Sequence, residues 1–216
     1  MEEAQRLGGQ TFLERAEDKA PCAPAHGAIL GERNRSPVPL RRCAAQCAAI
    51  FARPEQMVHT SEWGPPLWRL LHSLAERLGR QTVALLAQDE FRAWIAVLQG
   101  VEGIMPCQLC RGHYRGWRTK RPLEGLFGSA DASREWLWAL HEDVNERRGV
   151  APEGRVLFAQ LGEVYGVAKR GRQEIQQDMD ILVKVLGQAA LERQVNGQIV
   201  REWRQKVVLL RRILGV

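Results

Sequence analysis

Cys107 and Cys110 stand two residues apart, directly after Pro106, in the string Pro106-Cys107-Gln108-Leu109-Cys110. A Cys-X-X-Cys pair at a helix start is chemically loaded, because unpaired backbone N–H groups and the helix dipole stabilise a thiolate and lower the pKa of the first cysteine. Arg111 and His113 follow closely and push the same way. Alone, the motif is compatible with a redox pair or with half of a zinc site. The zinc reading needs two more ligands. His113 can supply one, but no second Cys-X-X-Cys or His pair follows. A thioredoxin-type site needs a βαβ context that the sequence does not offer. Three further cysteines, Cys22, Cys43 and Cys47, bring the total to five. An odd number with two close pairs fits redox or metal chemistry better than a static disulfide framework.

The elements that must position this pair read as helices. Residues 1–53 are rich in Ala, Arg, Gly and Pro with little periodicity, and form an expected flexible arm. Within it Leu40–Phe51 can form a short helix placing Cys43 and Cys47 four apart on one face. From Ser61, taken as an N-cap, Gly64, Trp68, Leu71, His72, Ala75 and Leu78 recur at steps of three and four. A second run, Thr82–Val101, brings Val83, Leu86, Phe91, Trp94, Ile95 and Leu98 to one side. Cys107–Arg118 follows as a third helix with Pro106 in its first turn. Asp131 or Ser133 can cap a fourth helix, Ser133–Arg148, on which Trp138, His141, Val144 and Asn145 align. A short fifth helix, about Arg155–Tyr165, completes the unit. No segment between Gln56 and Ala168 alternates as a strand. The expected fold is all-α, a four-helix bundle with a fifth short helix over residues 54–168.

Residues 169–216 form a basic helical extension. Ile175, Met179, Leu182, Leu186 and Ala189, then Ile199, Trp203, Val207, Leu210 and Leu214 after Asn196-Gly197, predict a helical hairpin. The net charge of +6 sits almost wholly here, with ten basic residues against five acidic ones. Packing on the core or on a second subunit is the ordinary reading of these helices; a membrane-surface helix is the sharper one. No apolar run approaches the ~20 residues needed to cross a bilayer, and the chain reads as soluble. The spread of charge elsewhere gives no reason to expect specific nucleic-acid binding.

Flat aromatic and histidine side chains, Trp63, Trp68, His72, Tyr114, Trp138 and His141, lie on the helices that frame the cysteines, and each alone is compatible with simple core packing. The combination is specific. Trp63-Gly64-Pro65-Pro66-Leu67-Trp68-Arg69-Leu70-Leu71-His72, then Pro106-Cys107-Gln108-Leu109-Cys110 with His113-Tyr114, then Leu140-His141-Glu142-Asp143-Val144-Asn145 ahead of Gly149 and Pro152, resembles the Erv/ALR family of FAD-dependent sulfhydryl oxidases, with a first motif similar to that of members from large DNA viruses.

The resemblance implies an FAD-holding helical bundle that oxidises thiol-containing proteins and passes electrons to molecular oxygen, giving hydrogen peroxide. It implies Cys110 as the flavin-proximal sulfur and Cys107 as the sulfur that exchanges with incoming thiols. Gly64, Trp68, His72 and Tyr114 would contact the flavin, and His141, Val144 and Asn145 the adenosine portion. It further implies a relay role for Cys43 and Cys47, a homodimer, and a setting in host cytoplasm or virion for a viral member or in the mitochondrial intermembrane space for a cellular one. Two departures stand out. Glu142 occupies a position that is usually Asn, and no lysine stands near Val150 or Ala151 to meet the FAD phosphates, so Arg147, Arg148 or Arg155 would carry that charge. The zinc-stabilised module and a flavin-binding scaffold without turnover are the alternative functions.

Overall fold

The computed structural model describes residues 57–216. The shuttle candidates Cys43 and Cys47, with Cys22, lie outside these residues. The described residues form seven α-helices, with 3₁₀ turns in the connections after α3 and α4: α1 Thr60–Ala75, α2 Ala84–Ile104, α3 Gln108–Lys120, α4 Ala130–Arg147, α5 Leu161–Tyr165, α6 Arg172–Leu191 and α7 Gly197–Ile213. The described residues contain no strand, and none of their helices is long and apolar enough to cross a membrane. The all-α reading holds.

Local chemistry moves several boundaries. The N-cap of α1 is His59 and not Ser61, because the Glu62 carboxylate reaches back to accept the His59 N–H at 2.8 Å. Pro65 and Pro66 fall inside α1. The carbonyls they leave without an i+4 donor belong to Ser61 and Glu62, which are exposed, so water can satisfy them. Pro106 precedes α3 instead of opening it, and Cys107 is the cap. On α4 the cap is Ser129, whose Oγ accepts the Ala132 N–H at 3.1 Å, while Ser133, one of the two expected caps, is buried. The expected fifth helix shortens to Leu161–Tyr165, with 3₁₀ turns at Pro152–Gly154 and Phe158–Gln160 ahead of it. Val83 and Leu86, placed on the core face by periodicity, are exposed, because α2 begins only at Ala84 and its first turns project beyond the neighbouring helices.

The hairpin is built in two steps. α6 ends in a Schellman motif: Gln194 N–H bonds Ala189 O at 2.9 Å and Arg193 N–H bonds Ala190 O at 3.1 Å, with Arg193 at φ 59°. Asn196 then caps α7 by accepting the Gln198 N–H at 2.8 Å. The two helices are part of the packed core. α6 lies along α1 and α7 along α2, while α4 packs on another side of α1. Trp94, Leu70, Leu74, Leu98, Leu182 and Leu210 are among the fully buried side chains, each contributing about 1.5–3 kcal/mol on transfer from water.

Close approach of α7 to α2 depends on two glycines. A Cβ at Gly100 would stand 2.6 Å from Trp203 Cδ1, and one at Gly103 would stand 2.8 Å from Ile199 Cγ2. Trp203, 2% exposed, donates its indole N–H to Val97 O at 3.1 Å. A second seam is polar. Asp178, 3% exposed on α6, accepts from Arg69 on α1 at 2.7 and 2.9 Å and pairs with Arg170. Arg170 also donates to Ser73 Oγ at 2.8 Å, so both arginines are tied to the helix that carries Trp68 and His72.

Candidate redox and cofactor site

Cys107 and Cys110 are joined in a disulfide with their Cα atoms 5.2 Å apart. Cys107 occupies the N-cap of α3, and its Sγ accepts the Cys110 N–H at 3.1 Å. The sulfur thus takes the place of a capping oxygen at the positive end of a 13-residue helix. Reduction places negative charge where an amide donor already points, which favours the thiolate of Cys107. The Arg111 guanidinium donates to Met105 O at 2.7 Å and to Gln194 O at 2.5 Å, so it ties α3 to the hairpin turn. Leu109, between the cysteines, is 68% exposed and gives the disulfide an apolar neighbour on the surface.

Trp68 and His72, expected at the flavin, and His141, expected at the adenosine portion, come together in one cluster. The Trp68 and His141 rings stack at 4.1 Å and 10°, and His72 Nε2 lies 3.1 Å from His141 Nδ1, one ring nitrogen donating and the other accepting. Tyr165 joins them, stacked on His72 at 4.7 Å. Periodicity did not single it out, although it is one of only two tyrosines in the chain and ends a helix next to the motif region. Burial, and secondarily its neighbour His141, lowers the pKa of His72 to about 3. His141 is lowered to about 4, chiefly by burial, with Glu142 opposing and Arg148 adding to the shift.

Both imidazoles are therefore neutral in the fold and protonated in the unfolded chain below the ordinary value of 6.5. Their folded values lie below their unfolded ones, so stability is complete above about pH 6.5 and is lost as pH falls toward 4. Calorimetric melting between pH 7 and 4.5 is expected to show this decline. A His141→Phe variant is expected to decline with a shallower slope; an unchanged slope would refute neutral burial of the pair.

The remaining site residues take separate places. Tyr114, 3% exposed, donates its hydroxyl to Leu98 O at 2.6 Å and meets Trp136 edge-on at 6.2 Å; burial raises its pKa. Trp138 holds the loop after α4, with its indole N–H on Val156 O at 2.9 Å and its ring against Phe158. Asn145 donates to Glu142 Oε1 at 2.9 Å, Val144 is half-buried and Arg148 exposed. Arg155 binds Val150 O at 2.7 and 2.9 Å and pairs with Glu142 at 3.4 Å. Of the expected substitutes for the missing lysine, Arg155 is thus committed to its own loop, Arg147 is paired with Asp143, and Arg148 makes no ion pair among the described residues.

The residues fit FAD. Gly64, Trp68 and His72 form one stripe four residues apart on α1. Gly64 is buried, yet a Cβ there would meet nothing within 4 Å, which marks open space beside the stripe. Trp63 Nε1 on the same turn is buried without a hydrogen-bond partner among the described residues. Stacked aromatic faces and neutral imidazoles match flat heterocycles whose edges both donate and accept. Among the described residues no three His, Cys, Asp or Glu side chains converge in a metal-ligand cluster.

A family model described as the Erv1 / Alr family matches residues 65–158. The FAD-linked sulfhydryl oxidase of African swine fever virus, Tick/Malawi isolate, is 34% identical over 85 residues, covering 39% of this chain and 66% of that protein. The protein of the same description from a Pig/Kenya isolate is 32% identical over the same length and share. No solved structure matches the chain significantly. The matched family segment contains the Cys107–Cys110 disulfide, Trp68, His72, Tyr114, His141 and Asn145, and stops short of Tyr165 and the hairpin. Residues 65–158 carry an Erv1/Alr family domain.

Proposed function

We propose that this protein is an FAD-dependent thiol oxidase that forms disulfides in thiol-containing partner proteins. The observation that carries the reading is the Cys107–Cys110 disulfide at the N-terminus of α3, in a family fold that also holds the Trp68–His72–His141–Tyr165 cluster. A substrate thiolate attacks Cys107 Sγ, breaking the Cys107–Cys110 bond and releasing Cys110 as a thiolate. A second substrate thiolate attacks the substrate sulfur of the mixed disulfide and displaces Cys107. The Cys110 N–H, already 3.1 Å from that sulfur, stabilises the leaving thiolate and so speeds its departure. The substrate loses two electrons and two protons, and the cysteine pair gains the electrons.

Bound FAD would accept this electron pair and deliver it to oxygen, giving hydrogen peroxide. Trp68, His72 and Tyr165 would supply apolar faces against the flavin, with Gly64 leaving room. His141 and Asn145 would hold the adenosine portion, and Arg148 would meet the phosphates. Cys43 and Cys47 are proposed as the relay pair. In support, the Val58 N–H is held by Gln194 Oε1 at 3.2 Å, and Gln194 O receives Arg111, the residue after Cys110. Val58, at the start of the described residues, is thus tied through Gln194 to α3, the helix that begins at the cysteine pair.

The purified full chain is expected to be yellow and to consume oxygen on addition of dithiothreitol, with one peroxide formed per disulfide. Flavin-bound protein that consumes no oxygen with any dithiol would instead establish a scaffold of the same fold.

A further inference from the structure

We propose that the groove at the end of the hairpin opposite its turn is a binding site for an oligophosphate anion. The first turns of α6 and the end of α7 border an open groove of about 820 Å³ there, whose side-chain lining is Arg172, Gln173, Gln176, Gln177, Arg211 and Arg212, next to Gly215 and Val216. This volume falls in the range of small-molecule sites. All six residues lie beyond the segment matched by the family model and have no part in the redox chemistry.

Arg211 is the central observation. It is 9% exposed, yet its only side-chain partner among the described residues is neutral: Nη1 donates to Gln176 Oε1 at 2.6 Å, and the buried Nε has no partner. Among the described residues neither Arg211, Arg172 nor Arg212 has a carboxylate within ion-pair distance. Asp180 acts electrostatically on Arg211, and its Oδ1 already accepts from Gln176 Nε2 at 2.8 Å. Arg172 is close enough to repel Arg211 and is held in place by the Gly215 carbonyl at 3.2 Å.

A guanidinium withdrawn from water without a counter-ion is costly, and Arg172, exposed at the same groove, adds like charge beside Arg211. An anion in the groove removes that cost. Guanidinium forks match phosphate oxygens in pairs, and several of them around one cavity select an anion carrying more than one charge. The neutral glutamine amides can donate to the same oxygens without adding repulsion among themselves.

The test uses FAD-loaded full chain, so that the phosphate subsite of the cofactor is already filled. Calorimetric titration with tripolyphosphate is expected to show saturable one-to-one binding, weaker with inorganic phosphate, and a rise in melting temperature. Arg211→Gln and Arg172→Gln are expected to weaken binding by about tenfold or more, the scale for one charge-assisted hydrogen bond, and to abolish the thermal shift. Arg193→Gln, at the hairpin turn, is expected to bind as the parent does. ATP binding more tightly than tripolyphosphate would support the site with a nucleotide as the source, and weaker ATP would support it with an inorganic chain. Because Arg211→Gln removes an unpaired buried charge, it is expected to fold with an unlowered melting temperature. Absence of saturation, equal affinity in all variants, or binding of a short single-stranded oligonucleotide that tripolyphosphate does not displace would overturn the proposal.

Discussion

Cys110→Ser is expected to lower thiol-dependent oxygen consumption by at least about 10³-fold, the scale on which removing a residue that forms a covalent intermediate acts. The reason is stoichiometric. With one sulfur at the α3 N-terminus there is no disulfide to exchange, and Cys107 can only capture substrate as a mixed disulfide with no route onward. The change should leave the fold intact, because the bond closes only a four-residue loop and the N-cap sulfur of Cys107 remains. The variant is therefore expected to stay yellow and helical while losing turnover. Cys107→Ser should lose turnover to a similar degree, with its hydroxyl still able to cap the Cys110 N–H. Oxygen-electrode rates on both variants decide the matter; either one retaining activity within tenfold of the parent would rule out the pair as the obligatory route.

The second large effect lies outside the family-matched segment. Asp178 is buried between Arg69 and Arg170, and truncating it leaves two guanidiniums without their shared carboxylate. Breaking a buried pair in this way costs about 3–5 kcal/mol, whereas the exposed Arg115–Glu102 pair should matter by less than about 1 kcal/mol. Asp178→Ala is accordingly expected to lower the melting temperature of the full chain by roughly 6–20 °C, at about 2–4 °C per kcal/mol for a domain of this size. It should also loosen flavin, because Arg69 and Ser73 sit on the α1 turns that carry Trp68 and His72. Differential scanning fluorimetry and flavin release read the two effects separately; a variant melting within a degree of the parent would show that the seam does not hold the hairpin to α1.

These two predictions mark what sequence reasoning could and could not reach. The helices are legible because burial on one face imposes a 3.6-residue period, whereas the meeting of Trp68 and His72 with His141 across two helices is a tertiary contact that no local spacing states. Boundaries moved where a single side chain decided them, as Glu62 did by reaching His59 and Ser129 by capping α4. Periodicity also says that a face is buried without saying against what. The hairpin stripe predicted burial for Ile175, Met179 and Leu182, but its docking on α1 and α2 is a tertiary fact. Asp178 sits on the apolar stripe of α6 between Ile175 and Leu182, a position where a carboxylate needs a buried partner. Tyr165 reaches His72 only through the turns after α4, a path that no local pattern encodes.

The hairpin also bears on assembly. Faces of α1 and α2 are covered in cis by α6 and α7, with Trp203 seated over Gly100 and Ile199 over Gly103. A second copy would have to use other surfaces.

The central claim, that thiol electrons reach flavin through Cys107 and Cys110, is tested most directly by mixing the purified yellow protein with dithiothreitol in the absence of oxygen. The account predicts that the visible flavin band bleaches in the parent, returns when oxygen is admitted, and persists under dithiothreitol in Cys110→Ser. Bleaching at the same rate in Cys110→Ser would contradict it.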